Sequence, residues 1–365
     1  MLSNSINRSL GSVEENSRLI LRQVVEHMDG EFYIQWHITE KCNLRCLHCY
    51  QESHSSNDLE STELEMVANI ILLTLKKWRK FGRIALTGGE PFLSKNLPGL
   101  LRLLNESEQI SYMSVLSNGT VMNQTDIHWL KEISKLKQIQ ISLDGATAET
   151  HDRIRGKGVF NKAIETIRLL QSSGLEITLM FTLHRSNMQD IPQLIELAIK
   201  EKVNALTVER VTPCGSVNDL KNLVLSPNEL RDVYQYIAER AEHNDVKESG
   251  LVIRRSRPLW INTCNRQDSP DIVGGFCPVG LTSLAILHDG TVLPCRRLNI
   301  PLGNILDDGL FKIWYTSDTL WEIRDKNNLR GKCNGCKNIP SCGGCRAIAY
   351  ELTGDYMGED PQCWR

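Results

Sequence analysis

Features that would assign the chain to a membrane, secreted or nucleic-acid-binding protein are missing from its 365 residues. No apolar run is long enough to cross a bilayer, and the first thirty residues carry Glu14, Glu15 and Glu26 without an uninterrupted apolar stretch. The net charge is −2, and there is no basic block of the kind that binds nucleic acid. We therefore expect a cytoplasmic protein with no membrane partner and no nucleic-acid partner.

Cysteine, in contrast, is abundant, with twelve residues. In a chain that is not exported, clustered cysteines are more often metal ligands than disulfide partners. Hydrophobic residues make up 41% of the sequence, which is enough for a sizeable core. Because 365 residues exceed what one core usually supports, we predict one large domain followed by a smaller one.

Strand and helix patterns alternate through the middle of the chain. Short β-branched or apolar runs predict strands at 34–39, 83–87, 113–117, 138–143, 176–183 and 205–211. Amphipathic stretches between them predict helices that include 62–80, 125–135, 160–173 and 191–202. Parallel strands require such crossover connections. We therefore predict an α/β fold, a partial (β/α)6 TIM-like barrel, whose active site lies at the C-terminal ends of the strands.

Three cysteines follow the first predicted strand. Cys42, Cys46 and Cys49 have the spacing CxxxCxxC and offer a metal centre three thiolates rather than four. An iron–sulfur cluster held by three cysteines keeps one iron free, as catalytic metal sites in general keep an open position. On spacing alone, two other interpretations stay open: a zinc site completed by His48 or His54, and three buried thiols.

Glycines and polar residues follow the next three predicted strands. The run 88–91 reads Gly-Gly-Glu-Pro after the second strand, Asn118 follows the third, and Asp144 follows the fourth. Glycine allows a ligand to approach the backbone more closely than a Cβ would permit. If the strands are parallel, all these residues lie at the same edge of the sheet as the three cysteines.

The cysteine spacing and the Gly-Gly-Glu-Pro run together resemble the radical S-adenosylmethionine (radical SAM) enzymes. This resemblance implies a [4Fe–4S] cluster whose open iron binds S-adenosylmethionine, and reductive cleavage of that cofactor to a 5′-deoxyadenosyl radical that abstracts hydrogen. Arg155 would suit a carboxylate, and His48 would lie near the adenine. The cofactor contacts that the resemblance implies are His48, Gly88, Gly89, Glu90, Asn118, Ser142, Asp144 and Arg155.

The alternation of strands and helices stops near residue 275, and seven more cysteines follow. Asp289 and Gly290 predict the turn of a hairpin that leads to a cysteine. Farther on, four thiols lie within thirteen residues, an arrangement that would also suit a zinc ribbon. The seven are Cys277, Cys295, Cys333, Cys336, Cys342, Cys345 and Cys363.

This arrangement resembles the SPASM domain, a C-terminal extension of radical SAM enzymes that usually carries two auxiliary iron–sulfur clusters. The resemblance assigns Cys333, Cys336, Cys342 and Cys363 to a distal cluster and Cys277, Cys295 and Cys345 to a proximal one, with Cys264 as a candidate fourth ligand. The family usually has CxxxC where this chain has Cys342-x2-Cys345, so these two could also bind one metal. The domains expected are an N-terminal helical extension (1–31), the barrel (32–235), a bridging region (236–274) and the SPASM domain (275–365).

The resemblance implies radical modification of a substrate, and a peptide or protein is the substrate we expect first, as in ribosomal peptide maturases. A porphyrin or another small cofactor precursor is the alternative. A non-catalytic zinc or electron-transfer protein is more remote. Arg296 and Arg297 stand where sulfatase-maturing enzymes carry an Asp, which argues against that activity. The pair would suit a substrate carboxylate or be solvated. Cys214, after the sixth predicted strand, would be a hydrogen donor or a buried thiol.

Two kinds of partner follow from this interpretation. Reductive cleavage of a sulfonium requires a low-potential electron donor, so we expect a flavodoxin or a ferredoxin. The thirty or so residues ahead of the barrel are too few for a leader-binding domain. A peptide substrate would therefore need a separate leader-recognition protein, or recognition by the barrel itself.

Overall fold

The computed structural model describes residues 30–51, 54, 57–214, 218–263, 277–339 and 342–365. Its described strands form one ten-stranded sheet in the order β10-β9-β8-β1-β2-β3-β4-β5-β6-β7. The strands are β1 Glu31–His37, β2 Phe81–Thr87, β3 Ile110–Ser117, β4 Leu136–Ser142, β5 Glu176–Leu183, β6 Ala205–Arg210, β7 Val252–Arg254, β8 Ser283–Ile286, β9 Thr291–Leu293 and β10 Gly303–Asn304.

Helices connect the strands and cover the outer face of the sheet. They are α1 Ser61–Trp78, α2 Leu97–Glu106, α3 Gln124–Lys131, α4 Ala148–Arg155, α5 Val159–Leu170, α6 Ile191–Lys200, α7 Pro227–Ala241, α8 Asn244–Ser249, α9 Ile305–Asp308, α10 Leu310–Thr316, α11 Asp318–Arg324 and α12 Arg346–Thr353. None of these helices combines the length and the apolar character of a transmembrane segment.

Strands β1 to β7 pair in parallel, each with the next along the chain. In the described residues β1 and β7 do not pair with each other, so the barrel is open, as predicted. The core lies between the strands and the outer helices. Ile34 and Leu86 on the strands and Val67 and Ile71 on α1 are fully or almost fully buried in the same hydrophobic cluster.

The sequence locates the first six strands and four of the helices correctly, with ends that differ by a few residues. The region expected to be a bridge, 236–274, contains the end of α7, helix α8 and the short strand β7, which pairs with β6 and extends the barrel sheet. The predicted hairpin is present, because β8 and β9 pair antiparallel on either side of Asp289 and Gly290. The N-terminal helical extension lies outside the described residues, except for Gly30 and Glu31.

The C-terminal region shares both sheet and core with the barrel. Strand β8 pairs in parallel with β1, from Tyr33 opposite Ser283 to Trp36 opposite Ile286. On the outer face, Trp314 of α10 packs against Phe32, with ring centroids 4.9 Å apart, and against Trp78 at 5.6 Å. This continuity fixes the position of the C-terminal cysteines relative to the C-terminal ends of the barrel strands.

Candidate active site

The loop that carries Cys42, Cys46 and Cys49 crosses the C-terminal ends of the barrel strands. The Gly-Gly turn after β2 lies against its start: Gly89 N donates to Thr39 O and Glu90 N donates to Lys41 O, both at 2.8 Å. A Cβ on Gly89 would lie 2.3 Å from the Lys41 carbonyl oxygen. Glycine is therefore required here because the backbones of the two loops are in direct contact.

Strand β3 contacts the same loop through a short polar network. Asn118 Nδ2 donates to Asn43 Oδ1 at 3.0 Å and lies 3.9 Å from Cys42 Sγ. Glu90 fixes the end of this strand, since its carboxylate accepts from Ser117 Oγ at 2.8 Å and from Asn118 N at 2.7 Å. Burial raises the pKa of Glu90 to about 7, although these donors oppose the shift.

A third contact comes from the end of β4 and from α4. The Asp144 carboxylate accepts from His48 Nε2 at 2.6 Å and from Arg155 Nε at 2.5 Å, and it also accepts from Thr182 N. Burial alone would raise the pKa of Asp144, but Arg155 and His48 hold it well below its usual value. Arg155 Nη1 lies 3.8 Å from Cys46 Sγ, so this guanidinium is shared between the carboxylate and the cysteine loop.

A cavity of about 300 Å³ extends from this loop into the interior of the barrel. Cys264 apart, twelve of the fourteen residues predicted for the barrel site and the proximal cysteine group face one space. Glu90 and Asp144 do not line the cavity: both are fully buried behind it and hold its lining residues. The predicted residues that line the cavity are Cys42, Cys46, His48, Cys49, Gly88, Gly89, Asn118, Ser142, Arg155, Cys277, Cys295 and Cys345.

A second cavity, of about 200 Å³, lies in the C-terminal region. Its lining includes Cys333, Cys336, Cys342 and Cys363, the four cysteines that the resemblance groups together. Cys342 and Cys345 therefore face different cavities although only two residues separate them. Those two residues, Gly343 and Gly344, have φ angles of +107° and +67°. Such angles favour glycine and turn the chain sharply between the two thiols.

A buried ion pair joins the barrel to both cysteine groups. Arg210, at the end of β6, contacts Asp360 through both terminal nitrogens, at 3.0 and 2.8 Å. Asp360 also accepts from Cys345 N at 2.8 Å, and its carbonyl accepts from Cys363 N at 2.9 Å. Sequence analysis missed this pair, since 150 residues separate its members. A single arginine at the end of a strand does not indicate which distant carboxylate it pairs with.

The donor set fits iron–sulfur chemistry. Eleven described cysteines are free thiols, and three donors lie near the sulfurs of the barrel loop, including Leu44 N at 3.4 Å from Cys42 Sγ. Hydrogen bonds to cysteine sulfur are one way in which proteins tune such clusters. In the described part of the chain, no three His, Cys, Asp or Glu side chains converge on a single metal-ion position. A cluster does not require this, because each cysteine binds a different iron. Cys264 lies outside the described residues.

Two family models match the chain. The radical SAM superfamily model matches residues 36–198, and a model described as SPASM, an iron–sulfur cluster-binding domain, matches residues 277–345. The solved structure of Streptococcus suis SuiB bound to precursor peptide SuiA is similar to this fold, with a TM-score of 0.72 at 15% sequence identity. That similarity covers 96% of this chain and 80% of SuiB.

Characterised relatives cover most of the chain. An Fe-coproporphyrin III synthase of Methanosarcina barkeri is 31% identical over 373 residues, 92% of this chain and 88% of that enzyme. An AdoMet-dependent heme synthase of Nitratidesulfovibrio vulgaris is 26% identical over 341 residues, 90% of this chain and 91% of the relative. A PqqA peptide cyclase of Rhizobium meliloti is 26% identical over 349 residues, 90% of this chain and 85% of the relative. The chain thus belongs to the radical SAM superfamily: it is a radical SAM enzyme, which binds S-adenosylmethionine and a [4Fe–4S] cluster, with a C-terminal SPASM domain that binds iron–sulfur clusters.

Proposed function

We propose that this enzyme modifies a porphyrin by hydrogen abstraction, in the cavity between the barrel cysteines and the proximal auxiliary cysteines. The observation that carries the proposal is the shared lining of that cavity, in which Cys42, Cys46 and Cys49 face the same space as Cys277 and Cys295. A substrate held there would lie within reach of the site of radical formation and of an auxiliary cluster.

In this proposal Cys42, Cys46 and Cys49 hold the [4Fe–4S] cluster and leave one iron for S-adenosylmethionine. When bound, the cluster and S-adenosylmethionine supply reductive cleavage of the sulfonium and hydrogen-atom abstraction. The chain's own residues position this pair. Asn118 and Arg155 contribute donors close to the cysteine sulfurs, and these donors would stabilise the reduced, more negative state of the cluster.

The remaining cofactor contacts are assigned by position. The backbone at Gly88 and Gly89 would face the methionyl group of S-adenosylmethionine. Ser142, the last residue of β4, would also contact this cofactor, and His48 would lie on its adenine side. Asp144 and Glu90 lie behind the residues that line the cavity and act by holding them in place. Asp144 orients His48 and Arg155, and Glu90 orients Ser117 and the Asn118 backbone. Positioning of this kind lowers the entropy cost of bringing reacting groups together.

The auxiliary cysteines form two groups in the proposal. The proximal group is Cys277, Cys295 and Cys345, and the distal group is Cys333, Cys336, Cys342 and Cys363. The division is supported by the two cavities, each lined by one group. Two auxiliary clusters suit this division better than one metal shared by Cys342 and Cys345. The domain boundaries at residues 32, 236 and 275 stay a proposal. A flavodoxin or ferredoxin stays the proposed electron donor.

A porphyrin is favoured as the substrate for two reasons. The relatives at 31% and at 26% identity that are named for coproporphyrin and heme synthesis align along nearly the full chain. The cavity also presents a partly buried cation next to the proximal cysteines, Arg296. Porphyrins of this kind carry side-chain carboxylates that guanidinium groups bind well.

A peptide substrate is the second candidate. It is favoured by the PqqA peptide cyclase, which aligns with 90% of this chain at 26% identity. A separate leader-recognition protein would accompany this activity. The two candidates share the radical chemistry and differ only in what the cavity holds.

The experiment is anaerobic reconstitution followed by reduction with S-adenosylmethionine, in the presence of Fe-coproporphyrin III. We expect iron and sulfide for three clusters, 5′-deoxyadenosine, and a mass change in the porphyrin. Cys46→Ala should abolish 5′-deoxyadenosine formation, and Cys336→Ala should lower iron content while the first cluster remains. A stoichiometric zinc load without any nucleoside product would refute the enzymatic proposal. Formation of 5′-deoxyadenosine with an unchanged porphyrin would refute Fe-coproporphyrin III as the substrate; an enzyme that forms this porphyrin, as the relative at 31% identity is named for, would leave it unchanged.

A further inference from the structure

The arginines that line the main cavity differ in their partners. Arg257 and Arg297 both pair with Glu209, the latter at 3.2 Å, and Arg210 pairs with Asp360. Arg296, in contrast, forms no salt bridge with any carboxylate in the described ranges. The cation at this position is therefore not neutralised by the described part of the protein, although its immediate neighbour in sequence is.

The donors of Arg296 are also largely unused. Its Nη2 has one long hydrogen bond, 3.4 Å, to the carbonyl oxygen of Tyr50. Its Nε is buried and has no hydrogen-bond partner in the described residues. A guanidinium has five N–H donors in a fixed fork. Leaving a buried donor or a buried charge without a partner is costly, so this group is set up for a partner that the chain does not supply.

An aromatic ring lies against the guanidinium of Arg296. The central carbon of Arg296 lies 4.3 Å from the centroid of the Tyr50 ring, which is the geometry of a cation–π contact. Tyr50 directly follows Cys49 of the barrel loop, and Arg296 directly follows Cys295 of the proximal group. This contact leaves most of the N–H donors along the edge of the guanidinium free, between the two cysteine groups.

We propose that Arg296 binds a carboxylate of the substrate, specifically a propionate of the porphyrin, through its free donor edge. This inference rests on the proposed function and adds the residue that recognises the substrate. Arg297 does not have this role, because its guanidinium is already paired with the carboxylate of Glu209. The contact would hold one edge of the porphyrin beside Tyr50, so that the attached side chain lies between the radical-forming cysteines and the proximal group.

The test is a binding titration of Fe-coproporphyrin III to the anaerobically reconstituted enzyme, followed by porphyrin absorbance. The wild type is compared with Arg296→Gln, Arg296→Lys and a surface control, Arg231→Gln, whose side chain is 41% exposed on α7. Each protein is also titrated with the tetramethyl ester of the same porphyrin, which lacks the carboxylates. Formation of 5′-deoxyadenosine without porphyrin is measured in parallel.

We expect Arg296→Gln to weaken binding of the acid by about 10- to 100-fold, the range of a charge-assisted hydrogen-bonded pair. Arg296→Lys should recover part of this loss, since it keeps the charge and loses the fork. The ester should bind wild type and Arg296→Gln equally, and Arg231→Gln should behave as wild type.

Three results would overturn the inference. The first is equal binding of the acid by wild type and Arg296→Gln, and the second is equal loss of acid and ester, which indicates general disruption of the cavity. The third is failure of the wild type to bind the acid. In that case, continued formation of 5′-deoxyadenosine would show that the radical SAM activity stands while the porphyrin assignment fails. In the first case, an accompanying change in the cluster spectrum would assign Arg296 to the auxiliary cluster instead.

Discussion

Replacing Gly89 by alanine should separate the cysteine loop from the turn that supports it. The added Cβ would lie 2.3 Å from the carbonyl oxygen of Lys41 and 2.7 Å from that of Glu40. Ordinary van der Waals contact begins at 3.4 Å, so the two loops would have to move apart by about 1 Å. Both neighbours are backbone atoms, and no side-chain rotation can relieve the contact.

The magnitude follows from the same contacts. Overpacking of this kind costs about 1–3 kcal/mol. The movement also lengthens the hydrogen bonds from Gly89 N to Thr39 O and from Glu90 N to Lys41 O, each worth about 1 kcal/mol. We therefore expect a local destabilisation of about 3–5 kcal/mol, concentrated where Cys42 begins the cluster-binding loop.

The assay compares Gly89→Ala with Gly99→Ala after anaerobic reconstitution. Gly99 is exposed in α2, and a Cβ there would meet no heavy atom within 4 Å, so its replacement should stabilise the helix by up to about 1 kcal/mol. Gly89→Ala should lose the iron of the barrel cluster and unfold at a lower temperature, while Gly99→Ala keeps both properties. A Gly89→Ala protein with wild-type iron content and melting temperature would refute the reasoning.

Three further outcomes are expected. Because burial raises the pKa of Glu90 to about 7, its contribution to stability is fully present below about pH 4.5 and is lost as the pH rises through 7. Glu90→Gln should remove that part of the pH dependence of unfolding, and an unchanged slope would contradict this. Cys345→Ala and Cys342→Ala should each remove a different auxiliary EPR signal, whereas loss of the same signal in both would show a shared metal. Arg346 is 4% exposed, and its Nε and Nη2 have no partner in the described residues. Burial raises the pKa of both Cys277 and Cys333, and the charge of Arg346 opposes that rise. Arg346→Gln should therefore lower the reduction potentials of both auxiliary clusters in a potentiometric EPR titration, and unchanged potentials would refute this.

The barrel could be predicted from the sequence because its signals are local. Strand β5, Glu176–Leu183, coincides with its prediction, and its run of β-branched and apolar residues is bounded by Gly174. The starts of β2 and β3 were placed two or three residues late. In β2 the early residues include Gly82, which carries little strand preference. The three-residue β7 was missed because such a length shows no periodicity.

Long-range pairing could not be predicted. Strand β8 joins the sheet beside β1 across about 250 residues, and no local pattern indicates that contact. The same holds for Arg210 with Asp360 and for Arg296 with Tyr50, which depend on how the C-terminal region packs over the barrel. Motif spacing grouped the cysteines, but only the fold shows that Cys342 and Cys345 face different cavities.

The structure gives two of the predicted carboxylates a supporting role that the sequence did not indicate. Asp144 and Glu90 were expected to contact the cofactor, and both are fully buried behind the cavity lining. A sequence motif indicates that a residue belongs to a site, but it does not indicate whether the residue lines the cavity or supports the residues that do. Here the charge of Arg155 and the ring nitrogen of His48 explain why a carboxylate is needed at 144, since burying those groups without a partner would be costly.

The most direct test of the account is electron–nuclear double resonance on the reduced enzyme with S-adenosylmethionine labelled with ¹⁵N at its amino group. If three thiolates leave one iron of the barrel cluster open, the label will show a hyperfine coupling to that cluster, and Cys46→Ala will abolish it. A fully assembled wild-type cluster that shows no coupling to the label would contradict the account.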